Sequence, residues 1–336
     1  MRCFPESFAK GAGITFGSLF FCLSAASSQA EDRPSGITFA SWNLRNYLQT
    51  TGAPEANAAG ATPPKSPAAQ AAVTRIILTM KPDILGVCEM GTAADLAALQ
   101  SRLREAGLDL PHTELVEGAD SERHLAILSR FPIVARNHQT KLTYLLDETL
   151  LPVQRGFLDV TLQITPAYQL RCVGAHLKSR RDVPEADESL MRRNEAHLLR
   201  QHADGILKAE PETNLLVYGD FNDTRETPAV RAVSGTRGTP AALTPVAVSD
   251  AAGERWTYYF QESDTYSRID FLFASRGLNP ELEDKSCRIY SGLDWLKASD
   301  HRPLTALIYP EEKKTKARSS SSKSAGEPAA AEEAGE

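Results

Sequence analysis

Cysteine is scarce in this chain, with five in 336 residues and only Cys88, Cys172 and Cys287 beyond position 30. So few, odd in number and set in apolar stretches that read as core strands, are expected to be small buried hydrophobes rather than a disulfide framework. No CxxC pair offers a zinc site, no HExxH offers a zinc protease, and no GxSxG elbow offers a serine nucleophile. Positive charge is not in excess either: 37 basic residues face 43 acidic ones, a net charge of −6. That balance argues against non-specific nucleic-acid binding through bulk charge, while leaving room for a local basic patch on a phosphate. An apolar run long enough to span a membrane, roughly 18 to 20 residues, is also missing.

The longest apolar run, Gly11 to Ala26, follows Arg2 and Lys10 and is followed by the small-x-small site Ser28-Gln29-Ala30. Residues 1–30 are therefore expected to be a secretory signal, and the protein to be exported to the periplasm or beyond after cleavage near Ala30. Cys22 is a poor lipoprotein site because Phe20 and Phe21 stand where small residues belong. Without the signal, 35 basic residues face 42 acidic ones, a net charge of −7. At the other end, residues 311–336 are Lys, Ser, Ala and Glu with almost no apolar bulk, and are expected to form a disordered tail. What remains, residues 31–310, is the size of one substantial domain and is expected to act as a monomer.

Within it, apolar stretches alternate with helical patterns. Ile37 to Asn43 reads as a first strand; Gln49 to Pro67 reads as a long surface loop. Ser66-Pro67 looks like the cap and first position of a helix carrying Val73, Ile76, Ile77 and Met80, stopped by Pro82. Ile84 to Cys88 is a fully apolar strand, and Thr92 with Asp95 starts a second helix that Gly107 ends. Phe157 to Ile164 alternates, which predicts half-buried antiparallel sheet with Asp159, Thr161 and Gln163 on the open face. Leu170 to Ala175 is its expected partner. A helix from about Asp187 to Lys208 should turn Met191, Leu198, Leu199 and Ala203 inward and Arg192, Arg193 and Arg200 outward or to the edge. Leu215 to Asp223, LLVYGDFND, reads as a strand buried on both faces, with Gly219 allowing close approach at its end. Trp256 to Phe260, Ile269 to Phe273 and Leu304 to Tyr309 complete the strands.

These strands repeatedly deliver a carboxylate, amide or imidazole to one sheet edge: Asn43, Glu89, His176, Asp220, Asn222, Asp270, Asp300 and His301. A lone Glu or His at a strand end is usually solvated or structural, and Asp or Asn after Gly often only makes a turn. Eight in sequence are hard to explain as turn chemistry. An acid with an amide two residues on can orient a water and hold a substrate oxygen. Hard oxygen ligands beside two imidazoles suit magnesium and phosphate-ester chemistry. Lys178, Arg180 and Arg181 after His176 read as a basic rim for phosphate, with a solvated charge run as the plainer reading. His197 and His202 are five apart and do not stack as ligands on one helical face.

In this order, Trp42-Asn43, Cys88-Glu89, Gly174 to Ser179 (GAHLKS), Gly219 to Asn222 (GDFN), Arg268 to Asp270 (RID) and Ser299 to His301 (SDH) resemble the endonuclease/exonuclease/phosphatase superfamily over roughly Ile37 to Tyr309. GDFN and SDH with the intervening Asp270 are the specific part. The resemblance implies an α/β fold, a two-sheet β-sandwich flanked by helices in four layers, deoxyribonuclease-like, with the site at one end. It implies Asn43 and Glu89 on a magnesium ion, with manganese or calcium as alternatives, and Asp300 near it. It also implies Asp220 and Asn222 at the attacking water and phosphate, Asp270 paired with His301, and His176 as the second histidine of a deoxyribonuclease-like branch, with Glu122 as its candidate partner. Arg155 fits a phosphate-contacting position, beside Lys178 and Arg180. The loop at Gln49 to Pro67 departs from compact members.

Three functions follow. The first is an exported magnesium-dependent phosphoesterase cutting phosphodiesters, nucleic acid foremost; the second is the same chemistry on a lipid headgroup or small phosphate ester; the third is a catalytically silent binding module, which fits poorly because every matched acid and histidine is present. No apolar hairpin that would favour lipid stands out beside the motifs.

Overall fold

A computed structural model of the chain describes residues 36–48, 63–283 and 287–312. The expected signal, residues 1–30, lies outside them, as do residues 49–62 of the long loop and the tail from 313 onward. Among the described residues no helix is long and apolar enough to cross a membrane.

The first strand, β1 (Ile37–Tyr47), leads through α1 (Pro67–Met80) to β2 (Ile84–Met90), and α2 (Ala93–Glu105) leads on to β3 (His112–Val116) and β4 (His124–Ser129). After β5 (Ile133–Arg136), the chain makes a hairpin of β6 (Thr143–Leu146) and β7 (Thr149–Pro152) and runs on through β8 (Phe157–Thr165), β9 (Tyr168–His176), α3 (Glu188–Ala209) and β10 (Leu215–Asp220). Next come α4 (Pro228–Ser234), β11 (Thr244–Pro245), a hairpin of β12 (Tyr258–Phe260) and β13 (Thr265–Ser267), and β14 (Asp270–Ala274). The described chain closes with β15 (Arg288–Ile289), α5 (Trp295–Ala298) and β16 (Leu304–Ile308). One six-stranded sheet has the order β15-β16-β1-β2-β4-β3 and the other β11-β14-β10-β9-β8-β5. Each is antiparallel except for one central pair, β1 with β2 and β9 with β10, whose parallel crossovers carry α1 and α3.

Apolarity on both faces of the central strands builds the layers. Along β10, Leu216 and Tyr218 meet Phe39, Ile84, Leu158 and Leu272 between the sheets. Leu215 and Val217 face the opposite way, toward Leu199 and Ala203 of α3 and Val230 of α4. On the other sheet Trp42, Leu85 and Val87 pack against Val73, Ile76, Ile77 and Leu99 of α1 and α2. The result is helix, sheet, sheet, helix, the four-layer sandwich expected. Tyr218 fits between the sheets because Gly86 and Gly174 have no Cβ to strike its ring, and Phe39 meets it edge-on at 5.0 Å. Burial of the ring is stabilising, offset in part because the Tyr218 hydroxyl is buried without a hydrogen-bond partner.

Helix starts follow their caps. Ser66 accepts from the Ala69 amide ahead of Pro67, and Thr92 and Asp95 form a reciprocal capping box, each cap typically worth about 1 kcal/mol. The expected aromatic strand at Trp256 to Phe260 is shorter, reduced to β12 within a hairpin. Two further expectations are corrected. Arg192 and Arg200 are buried, not outward: Arg192 bonds the Lys178 and Ser179 carbonyls and Asp223, and Arg200 bonds the Val233 and Ala241 carbonyls. Helical spacing puts them on the inner arc, and loop carbonyls supply the acceptors that make burial tolerable.

Asp159 is likewise fully buried rather than on an open face, because Arg171 grips it at 2.9 and 2.6 Å and His202 of α3 reaches it at 2.8 Å. Burial alone would raise its carboxyl, but bonds from His202 and Arg171 hold it below the usual value. Stability from this group is therefore present above the unfolded carboxylate pKa, about 3.9, and is lost as pH falls through the lower folded value. Asp159→Asn should cost about 3 kcal/mol at pH 7, since it strands a partly buried arginine. Thermal melts should show that deficit shrinking as pH drops below 4, and a deficit independent of pH would contradict the pairing.

Candidate active site

The polar strand ends meet at one end of the sandwich, in a pocket of about 740 Å³. Asn43, Glu89, Asp300 and His301 come from the first sheet, and His176, Asp220, Asn222 and Asp270 from the second. Local backbone sets their aim. Register slips between Asn43 and Tyr47 of β1, and again past Val87 of β2, and this bulge carries Arg45, Asn46 and Glu89 at left-handed φ values of 49°, 52° and 59°. Such strain in non-glycine residues is tolerated where the surroundings over-determine it, often at functional sites. In the GDFN motif Phe221 is buried edge-on against Phe271 and Phe273 at 5.8 and 5.1 Å, Asp220 ends the strand, and Asn222, at a left-handed φ of 51°, turns so that it too lines the pocket. Gly219 is required because its φ of 137° brings the backbone against the Ala175 carbonyl, where any Cβ would collide. The close approach expected there is to neighbouring backbone, not to a ligand.

Asp220 is the hub. Its Oδ2 accepts from the Asn43 amide at 3.0 Å and lies 3.5 Å from His176 Nε2 and 3.7 Å from His301 Nε2, while Oδ1 accepts from the Asn222 backbone N–H at 2.8 Å. His301 Nδ1 is paired with Asp270 at 2.9 Å, as expected. Burial would lower the His301 pKa, but Asp270 and Asp220 raise it to about 10, so the imidazole is cationic at neutral pH. His176 behaves oppositely. Burial first, and Arg155 and His301 next, push it well below its usual value, so it is neutral. Asp220 itself is raised by burial and by Asp270, against the pull of His301. Two imidazoles in different protonation states, one cationic and one neutral, around one carboxylate form the kind of divergence that separates acid from base in a site.

The scaffold behind this cluster explains the remaining motif letters. The Trp42 indole donates to the His301 carbonyl at 2.9 Å, and Ser299 donates to the Asn43 carbonyl at 2.8 Å while accepting from the His301 N–H at 3.0 Å. Thr257, which sequence reasoning passed over, is fully buried; its hydroxyl accepts from the N–H groups of Ile269 and Asp270, and its carbonyl takes the Arg302 N–H. It ties the strand carrying Asp270 to the segment carrying His301. Tyr258, also missed, packs on His301 with ring centroids 4.7 Å apart.

Several expected roles shift. Asn43 gives its amide N–H₂ to Asp220 and to Glu89 at 3.2 Å, bridging the two carboxylates, and its oxygen accepts from the Arg45 N–H. Glu122 does not partner His176, whose Nδ1 has no hydrogen bond and whose Nε2 faces Asp220 and, at 3.9 Å, Glu89. Lys178 lies on the pocket wall, but its ammonium bonds the Ser179 and Arg181 carbonyls and the Ser179 hydroxyl, within its own loop. Arg180 is a strut, bonding the Asn222 carbonyl and Asp223. Arg155 does line the pocket; it pairs with Asp120 at 3.1 Å, while its buried Nε has no partner. Asp300 lines the pocket too, with Arg45 at 3.4 Å. All three described cysteines are buried and free, as expected.

A divalent cation fits this donor set. Glu89, Asp220 and Asp300 bring three carboxylates to one pocket end, Asp270 is buried behind His301, and ligand atoms of Asp220, Asp270 and His301 lie within 4.8 Å of one another. Because His301 Nδ1 is already engaged with Asp270, Glu89 and Asp300, with side chains 17% and 22% exposed, are the acids most open to a cation entering from the pocket.

One apolar feature was not anticipated. The β6–β7 hairpin pairs Leu145 with Leu150, each 65% exposed, and continues into Leu151 and Pro152 on the pocket wall.

Two six-stranded sheets, packed face to face under helices, with an acid, amide and imidazole cluster at one end, define the class of deoxyribonuclease-like metal-dependent phosphoesterases. The chain belongs to the endonuclease/exonuclease/phosphatase family, whose pattern matches residues 40–301. Family members are hydrolytic phosphoesterases that depend on metal. Among solved structures, an endonuclease/exonuclease/phosphatase from Bacteroides vulgatus superposes with a TM-score of 0.57 at 16% identity, over 82% of this chain and 100% of that one. The human nocturnin catalytic domain, solved with bound sulfate, gives 0.57 at 18% over 81% and 93%, and sphingomyelinase C from Streptomyces griseocarneus gives 0.54 at 14% over 81% and 99%. At these identities the likeness is one of fold. No curated protein matches the sequence significantly.

Proposed function

We propose that this chain is an exported, monomeric, metal-dependent phosphodiesterase that cleaves phosphodiester bonds by direct attack of water, with nucleic acid as its substrate class. The reading is carried by neutral His176 and cationic His301, both within 3.7 Å of Asp220 Oδ2. Asp220 orients the attacking water and takes up its proton, and His301, held by Asp270, sets positive charge against the phosphate as negative charge builds. Asn222 donates one amide proton to the Leu177 carbonyl and keeps the other for a nonbridging oxygen. Glu89 and Asp300 hold the cation, magnesium or alternatively manganese or calcium, which supplies Lewis-acid stabilisation of the phosphate oxygens. Arg155 is offset by Asp120, and Lys178 is turned into its own loop, so neither presents its full charge to the phosphate.

A second reading, a lipid phosphodiester, is favoured by the Leu145–Leu150 hairpin at the pocket edge. One assay separates them: the mature chain with magnesium, offered plasmid DNA, RNA, sphingomyelin vesicles and inositol phosphates in parallel. Nucleic acid should be cut, excess chelator should abolish cutting, and added magnesium should restore it. Full activity in chelator would refute the metal, and cleavage of sphingomyelin alone would transfer the site to lipid.

A further inference from the structure

The rim of the pocket beside His301 is a short ladder of rings. Tyr258 packs on the His301 imidazole at 4.7 Å, and Phe260 lies over Tyr258 at 6.4 Å with their planes only 22° apart. Phe260, 41% exposed, is the outer rung and lines the pocket. The ladder is rigid. Tyr259 N–H bonds the Asp300 carbonyl at 3.0 Å and Arg302 N–H bonds the Thr257 carbonyl at 2.7 Å, which fixes the hairpin in register with the segment bearing His301. On its other face Tyr259 stacks on Tyr266 at 4.6 Å, so the hairpin is braced from behind.

We infer that Phe260, backed by Tyr258, is a stacking platform for a nucleobase attached to the scissile phosphodiester. This rests on the phosphodiesterase reading above and adds what the leaving or retained group must be. A ring face held at a fixed offset from the reacting imidazole is what a planar base needs, and stacking accepts any base because every base has a π-face. Gln261 and Glu262, next in the chain, also line the pocket and offer hydrogen-bonding groups to a base edge. From Thr257 to Ser267 the segment carries Glu262 and Asp264 and no Lys or Arg, so this rim offers ring faces rather than phosphate-binding charge.

The test compares dithymidine monophosphate with the same diester built on two base-free sugars, with magnesium. Wild type should favour the base-bearing substrate in kcat/KM by roughly 5- to 150-fold, the range for one stacked base. In Phe260→Ala that ratio should fall close to one, through KM rather than kcat, and Phe260→Tyr should restore it. A wild-type ratio near one, or a ratio that Phe260→Ala leaves intact, would overturn the platform while the phosphodiesterase reading stands, because both diesters are still cut. Hydrolysis of neither diester takes down both, and cleavage of sphingomyelin vesicles in that case gives the rim to a lipid surface.

Discussion

Replacing His301 with alanine is expected to lower turnover on a phosphodiester by about 10²- to 10⁴-fold, the usual contribution of a positioned acid–base group. The fold should survive, because the backbone around residue 301 is held by Trp42, Ser299 and Thr257 rather than by the imidazole. Asp270→Asn should imitate it. The 2.9 Å contact between Asp270 and His301 Nδ1 is buried, and burial would otherwise deprotonate the ring. A cation whose pKa is raised stays charged as pH climbs, so losing Asp270 should bring the alkaline fall in activity down toward neutrality. Two residues acting as one unit are not additive, so the double variant should be little worse than either single one. Steady-state rates across pH for the three variants decide the matter: near wild-type turnover in His301→Ala, or losses that multiply in the double variant, would show that this pair does not carry the chemistry.

The second large effect is expected from Asp220→Asn, again at least 10²-fold in turnover. Its Oδ2 is the meeting point of Asn43 and the two imidazoles, so an amide there removes the acceptor for water's proton and the charge that holds His301 cationic. The new amide's oxygen could still accept from Asn43, but its nitrogen would then face the Asn222 N–H that Oδ1 accepts in the wild type. Fold integrity should be checked by thermal melting, because a buried acid raised by burial costs stability when ionised and its neutral isostere is tolerated. A melting temperature at or above that of wild type with turnover collapsed is the expected result, and intact turnover would move the water-orienting role elsewhere.

Much of this was legible in the chain because the central strands are apolar on both faces. Ile84 to Cys88 and Leu215 to Tyr218 read as buried strands, and the caps at Ser66 and Thr92 marked their helices, since those signals are local. Edge strands were harder. Within β3, His112 to Val116 is mostly half-buried and shows no period, and in β5 Ile133 to Arg136 alternates half-buried with exposed positions over only four residues, too short a run to read from letters such as Val134 and Ala135. The hairpin from Thr143 to Pro152 misleads in the opposite sense, because Leu145 and Leu150 carry core letters on an exposed tip. At the site, residue types marked the cluster, but partnerships that depend on three-dimensional placement did not show. Nothing in the order of residues reveals that Lys178 spends its donors on its own loop, that Arg180 braces Asp223, or that Thr257 links two strands.

The division of the cluster between the two sheets has a consequence for when activity can arise. Trp42 and His301 touch across 259 positions of sequence, and β1 pairs with β16, the last described strand. Asn43 reaches Asp220, and Asp270 reaches His301, from one sheet to the other. A chain emerging from the ribosome therefore stays chemically silent until almost the whole domain has been made and its final strand has closed onto its first.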